Sequence, residues 1–310
     1  MSLAAGIAPW LYIAGKGLAE SAATGDLSAP LEWLGAACGR AEFSRFFSRS
    51  LSASAVVLLP FLCWRIRTIR ARNRVTAEPV KRIGWMAALG QIVVGCVIAG
   101  GMLWAMGMML ESLGAYAPRA HAPGVGKALG RIIASVVMVP LFEEWLFRGI
   151  LLGLWLKFAR PFAACIGTSL FFAFVHFLKL PEGMTIADPA SPLAGFELVG
   201  KVLFHFMNPQ FFVTDFATLF FIGMMLAWAR VRTGKLWFSI GLHAGWVLSF
   251  KAFNQFHETV SSHPLHPWGV GDSLRSGLFP LLTLVATAGI CQFVLRRFEP
   301  GCGAPNRASR

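Results

Sequence analysis

Two adjacent glutamates and an arginine, Glu143, Glu144 and Arg148, sit inside the apolar run Pro140-Leu141-Phe142-Glu143-Glu144-Trp145-Leu146-Phe147-Arg148-Gly149. Ionisable groups in a stretch long enough to cross a bilayer are expensive, and they normally face a bundle interior or a wet cavity. On a helix Glu144 and Arg148 are four residues apart on one face, acid first, which is the favourable order for an ion pair. Glu143 lies about 100° round the helix from Glu144, since a turn takes about 3.6 residues. Glu144 therefore reads as a structural anion held by Arg148, and Glu143 as the acid available for chemistry. The plainer reading is a salt bridge that fixes bundle packing, but one glutamate would suffice for it.

Two histidines also fall within apolar runs, His176 and His243. In Ser169-Leu170-Phe171-Phe172-Ala173-Phe174-Val175-His176 the imidazole shares a helix face with Phe172. In Gly241-Leu242-His243-Ala244-Gly245-Trp246 the second histidine is flanked by small residues that let another helix approach closely. A single membrane histidine is more often an interhelical hydrogen-bonding group than a catalyst. Two of them together with Glu143 suggest hydrolysis: a glutamate in an apolar setting acts as general base on water. One histidine then helps hold that water and the other donates to a developing oxyanion. Glu with two His is also a known zinc set, but the helical HExxH spacing is absent. Metal is therefore the weaker alternative from the residues alone, and no cofactor is expected.

These residues need helices that place them at one depth. The composition points to a polytopic membrane protein. Mean hydropathy is +0.61, 14% of the 310 residues are charged, and 27 Phe and 11 Trp exceed what a soluble core of this length needs. The formal charge of +13 could suggest nucleic acid. The cations sit mainly in short loops between apolar runs, however, which is the positive-inside pattern of a membrane protein. Nucleic acid is not an expected partner; membrane lipid and a membrane-associated peptide or protein are. The six cysteines are scattered, with no CxxC pair or metal spacing, and read as small hydrophobes.

The expected fold is all-α, a single membrane domain over residues 1–310 with seven or eight transmembrane helices. Residues 1–64 hold N-terminal helices and a polar stretch; Leu3 to Ala19 is a first membrane helix or a surface-lying one. Leu51 to Trp64 is short of the roughly 20 residues that a span needs. Arg65 to Arg82 carries seven of the 28 cations and one acid, Glu78, and reads as a cytoplasmic anchor. Further spans are expected over Ile83 to Leu110, Ile132 to Leu156, Phe162 to Leu180, Phe211 to Ala229, Leu236 to Phe250 and Leu278 to Leu295. Residues 181–212 form an external loop or re-entrant segment with a short helix from Phe196 to Phe206. Residues 256–276 form an external loop, and 296–310 a polar cytoplasmic tail. Basic loops after residue 60 then all lie inside, which places the protein in the cell membrane, multi-pass, with a cytoplasmic C-terminus. The group Arg40 to Arg49 departs from this alternation.

The motifs resemble the CPBP family (also called Abi), the intramembrane proteases that include the type II CAAX prenyl proteases. Glu143-Glu144-x-x-x-Arg148 looks like its first motif and Phe172-x-x-x-His176 like its second. Phe221 to Trp237 looks like the segment before its last motif, which His243-Ala244-Gly245-Trp246 resembles. The likeness covers roughly residues 130–250, the expected catalytic core. It implies an eight-helix all-α fold with a wet cavity open in the membrane. It also implies peptide-bond hydrolysis with Glu143 as base, His176 beside it on the water and His243 at the oxyanion, and with Glu144, Arg148 and Phe172 in support. The family was long described as metalloproteases; a metal-free glutamate mechanism is now the commoner view, so the resemblance implies no metal. One departure stands out: Val247 replaces the asparagine usual four residues after the last histidine, and valine cannot donate a hydrogen bond. Asn208 and Ser249 are the candidate substitutes. Asn254 shares a face with His243 but is three turns away, about 16 Å. The leading reading is an intramembrane endopeptidase. The alternatives are a non-catalytic membrane scaffold or immunity-type member, motivated by Val247, and a proton-coupled transporter, against which no inverted repeat or paired broken helices are evident.

Overall fold

The computed structural model describes residues 1–25, 27–51, 84–120, 125–178 and 185–296, together with single positions between 53 and 68. The expected short span over 51–64, the basic segment 65–82 and the tail beyond residue 296 lie outside the described residues, apart from those single positions. In chain order the helices are α1 (Ser2–Ala23), α2 (Ala29–Gly39), α3 (Trp85–Ser112), α4 (Val125–Glu144), α5 (Leu152–Trp155), α6 (Pro161–His176), α7 (Ala194–His205), α8 (Pro209–Phe211), α9 (Ala217–Thr233), α10 (Trp237–Phe256) and α11 (Leu278–Leu295). Two π-helical segments join neighbours into longer rods: Trp145–Leu151 between α4 and α5, and Phe212–Phe216 between α8 and α9. The chain is therefore mainly helical, as its apolar runs imply. Three rods among the described residues are long and apolar enough to cross a membrane: Trp85–Ser112, Pro209–Thr233 and Leu278–Leu295. The apolar helix Pro161–His176 is shorter.

The described residues fall into two compact units. The first contains α1, α2 and α7. Alanine and glycine set how closely α1 is approached: Ala4, Ala5 and Ala8 are fully buried. A Cβ on Gly195 of α7 would lie 2.7 Å from Ala5 Cα, and one on Gly35 of α2 would lie 2.8 Å from the Leu18 carbonyl oxygen. Lys16 then donates to the carbonyls of Gly39 (2.8 Å) and Ala41 (3.2 Å), placing a cation where the C-terminal end of α2 leaves carbonyls unpaired. α7 corresponds to the short helix expected near 196–206.

In the second unit, α10 is the central rod. Every residue from Phe238 to Trp246 is buried. A helix covered by protein on all sides need not be as apolar as one facing lipid, which accounts for Ser239 and His243 on it. Glycines mesh it with α3. A Cβ on Gly241 would lie 2.8 Å from Ile92 Cα, one on Gly245 would lie 2.8 Å from the Gly100 amide nitrogen, and one on Gly95 would lie 2.8 Å from the Leu242 nitrogen. Ser249 Oγ ties the same pair by donating to the Gly100 carbonyl (2.7 Å). Small residues at such spacing bring backbones together where hydrocarbon offers no hydrophobic drive for helix association.

Beyond the membrane-length rods, β1 (Tyr116–Pro118) pairs antiparallel with β2 (His257–Thr259), tying the chain after α3 to the chain after α10. The all-α expectation did not include this ribbon. Three-residue strands are too short to show an alternating pattern in sequence.

Candidate active site

The acids enter the site from the end of α4. Pro140 lies within that helix and, lacking an N–H, removes one rung of its ladder. Directly after Glu144 the winding widens into the π segment, where the Leu152 N–H donates to the Phe147 carbonyl five residues back. Such segments are rare and are often found at functional sites. The widened turn still brings Arg148 onto Glu144: Nη1 donates to Oε1 at 2.9 Å, with both side chains fully buried. The expected pair is therefore formed.

Arg148 has two more neighbours. Nη2 donates to the Gly223 carbonyl on α9 (3.2 Å), and the guanidinium lies 4.3 Å from the centre of the Phe172 ring on α6. One cation thus joins three rods through an ion pair, a backbone acceptor and a π face, each strengthened by the absence of competing water. Gly223 itself sits close to Ser169, where a Cβ would lie 3.1 Å from Ser169 Cα. That close approach brings α9 near α6, the helix carrying the Phe172 ring.

Glu144 does more than hold Arg148, and this is the main departure from the sequence reading. Its Oε1 also lies 3.0 Å from His243 Nδ1. His243 is buried on α10, and the Phe172 ring meets it in a T-shaped contact with ring centroids 6.2 Å apart. Its other nitrogen, Nε2, points to Glu143, 3.8 Å from Oε2. Glu143 is the more open of the two acids, with 23% of its side chain exposed against none for Glu144.

This arrangement constrains the imidazole. Glu144 is an anion already facing a guanidinium, so it accepts a hydrogen bond from Nδ1–H. Nε2 then carries a proton only when His243 is cationic; otherwise it is an acceptor. The 3.8 Å gap is too long for a direct hydrogen bond, yet both atoms can reach one oxygen lying beside them at about 2.8 Å from each.

Glu143, Glu144, Arg148, Phe172 and His243 therefore come together in the second unit. His176 ends α6 and groups with the first unit, as does Asn208. Ser249 is not a substitute for the missing asparagine, because its hydroxyl proton is donated to Gly100. Asn254 accepts from the Leu274 N–H (3.3 Å). Among the described residues no three His, Cys, Asp or Glu side chains are grouped so as to hold a metal ion. The sequence reading missed the Glu144–His243 bond, which joins residues 99 positions apart, and the Gly223 carbonyl. Neither leaves a sequence signal, since the first depends on helix packing and the second is a backbone atom.

No curated protein and no solved structure matches the chain. Residues 126–249, from the start of α4 into α10, match the family described as Type II CAAX prenyl endopeptidase Rce1-like, the family of intramembrane proteases that the Glu143-Glu144, Phe172-His176 and His243 motifs resemble.

Proposed function

We propose that the protein is an intramembrane endopeptidase that cleaves a membrane-associated protein or peptide with a water activated by Glu143. The observation that carries this reading is the poise of His243, locked on Glu144 through Nδ1 and aimed at the more open Glu143 through Nε2. Glu143 takes a proton from the water as its oxygen attacks the scissile carbonyl carbon. The imidazolium Nε2–H donates to the oxyanion that forms. As the C–N bond breaks, Glu143 returns its proton to the leaving amine. Glu144, Arg148 and Phe172 do not touch the reacting atoms; they hold His243 in position. In this reading His176 helps hold the water, and no step runs through a metal or cofactor. The chain is one multi-pass membrane domain of seven or eight crossings in the cell membrane, with its basic loops and C-terminus cytoplasmic and the catalytic core at 130–250.

The substrate is a peptide bond near the membrane, with or without a lipid on the chain being cut. Glu143→Ala and His243→Ala are each expected to abolish cleavage of a membrane-tethered peptide while the protein still folds. Unchanged turnover in either variant ends the proposal. Comparing the proteins cut in cells carrying wild type and Glu143→Ala identifies the substrate. Val247 favours a second reading, a non-catalytic membrane scaffold or immunity-type protein, under which both variants leave the phenotype untouched. A proton-coupled transporter predicts instead substrate uptake into proteoliposomes that depends on Glu143.

A further inference from the structure

Away from the acids, α9 and α11 enclose an apolar groove of about 430 Å³, lined by Phe221, Met225 and Trp228 on one side and Leu281, Val285 and Gln292 on the other. Both walls belong to rods of membrane-crossing length. The two helices run parallel: the Gly277 N–H, just before α11, donates to the carbonyl of Thr214, just before α9 (3.0 Å). Their C-terminal ends therefore lie at the same level, and both are cationic. Arg230 and Arg232 occupy the last turn of α9, and Arg296 caps α11.

The charge touches the groove. The Arg232 guanidinium lies 5.8 Å from the ring centre of Trp228, a wall residue, and Gln292 is the wall's polar member at the same end. Arg230 Nε is buried without a hydrogen-bond partner among the described residues. From Leu281 to Gln292 the wall spans eleven helical rises, about 16 Å at 1.5 Å each, or close to half of the roughly 30 Å hydrocarbon thickness of a bilayer. The cavity is open and its walls face outward: Val285 is 68% exposed and Phe221 49%.

We propose that this groove is a binding site for one anionic phospholipid, with an acyl chain along α9 and α11 and the headgroup phosphate on Arg232. Length, apolar lining and a cationic end match the tail and head of one lipid from one leaflet. Under the orientation proposed above that leaflet is cytoplasmic, where anionic lipids concentrate. The site is separate from Glu143 and His243, so its failure leaves the protease reading standing.

The test is native mass spectrometry of the full chain released from micelles holding equal amounts of phosphatidylglycerol and phosphatidylcholine. One phosphatidylglycerol is expected to remain bound per wild-type chain, in clear excess over phosphatidylcholine. Arg232→Gln lowers phosphatidylglycerol retention about fivefold, the worth of one cation at a lipid surface, with phosphatidylcholine unchanged. Ala288→Trp, which fills the groove, lowers both; circular dichroism checks that each variant keeps its helix content. Equal retention of the two lipids by wild type, or undiminished phosphatidylglycerol in Arg232→Gln, overturns the proposal.

Discussion

Replacing Glu144 with glutamine keeps its shape and removes its charge, which separates its hold on the fold from the catalysis proposed for Glu143. Arg148 then stays fully buried opposite a neutral amide. Removing one member of a buried pair costs about 3–5 kcal/mol. Glu143, whose charge also acts on Arg148, offsets part of this, so the low end, about 3 kcal/mol, is the working figure. At about 2–4 °C per kcal/mol, Glu144→Gln lowers the melting temperature of the detergent-solubilised protein by about 6–12 °C. It also lowers cleavage, because His243 Nδ1 loses its anionic acceptor. Glu143→Gln is expected to separate the two: cleavage is lost while melting stays within about 2 °C of wild type, since its partly open side chain faces Nε2 across 3.8 Å. Leucine at both 144 and 148 recovers most of the stability, as apolar replacement of a buried pair often does, yet leaves the protein inactive. Melting curves and peptide cleavage on the same four samples are the assay. If Glu144→Gln melts with wild type, or Glu143→Gln melts as low as Glu144→Gln, Glu144 and Glu143 do not divide these roles.

Gly241→Ala should impair folding, because its Cβ meets Ile92 backbone that cannot move aside, whereas Gly101→Ala, with open space at that position, should be neutral or add about 1 kcal/mol; the yield of monodisperse protein and its melting temperature check both. Val247→Asn places an amide donor one turn after His243 on α10 and, on the proposed mechanism, should raise kcat up to about a hundredfold with little change in KM; unchanged kcat would show that no oxyanion is stabilised from that position. Burial pushes the Tyr116 hydroxyl up to about 12 from its usual 10, with the Asp272 carboxylate adding to the shift. The folded protein thus holds that proton when the unfolded chain has lost it, so stability is whole below pH 10 and falls between pH 10 and 12, by roughly 2–3 kcal/mol. Alkaline melting curves show this, and Tyr116→Phe should flatten that limb.

Much was legible before any coordinates. The apolar runs placed α3 within two residues of its limits and α11 at its own, the run Phe211 to Ala229 fell inside the rod Pro209–Thr233, and the four-residue spacing gave the Glu144–Arg148 pair. The small residues around His243 announced the close crossing that Gly241 and Gly245 make with α3. Each is a local or periodic property: hydropathy over a span, or the rise and turn of one helix, needs no knowledge of what packs where. The ribbon of β1 and β2 escaped notice because three residues carry no period.

Tertiary structure alone decided what Glu144 is for. On its own helix it has one natural partner, Arg148. Its bond to His243 exists because glycines bring α10 against α3 while Arg148 draws α4, α6 and α9 together around the same carboxylate. Residue types and spacings determine which groups a helix presents; which of them meet depends on side-chain volumes at helix crossings scattered through the chain. So the sequence by itself supplied the acids, the cation and the imidazole, and the packing of separate rods determined which acid holds the ring and which one it faces.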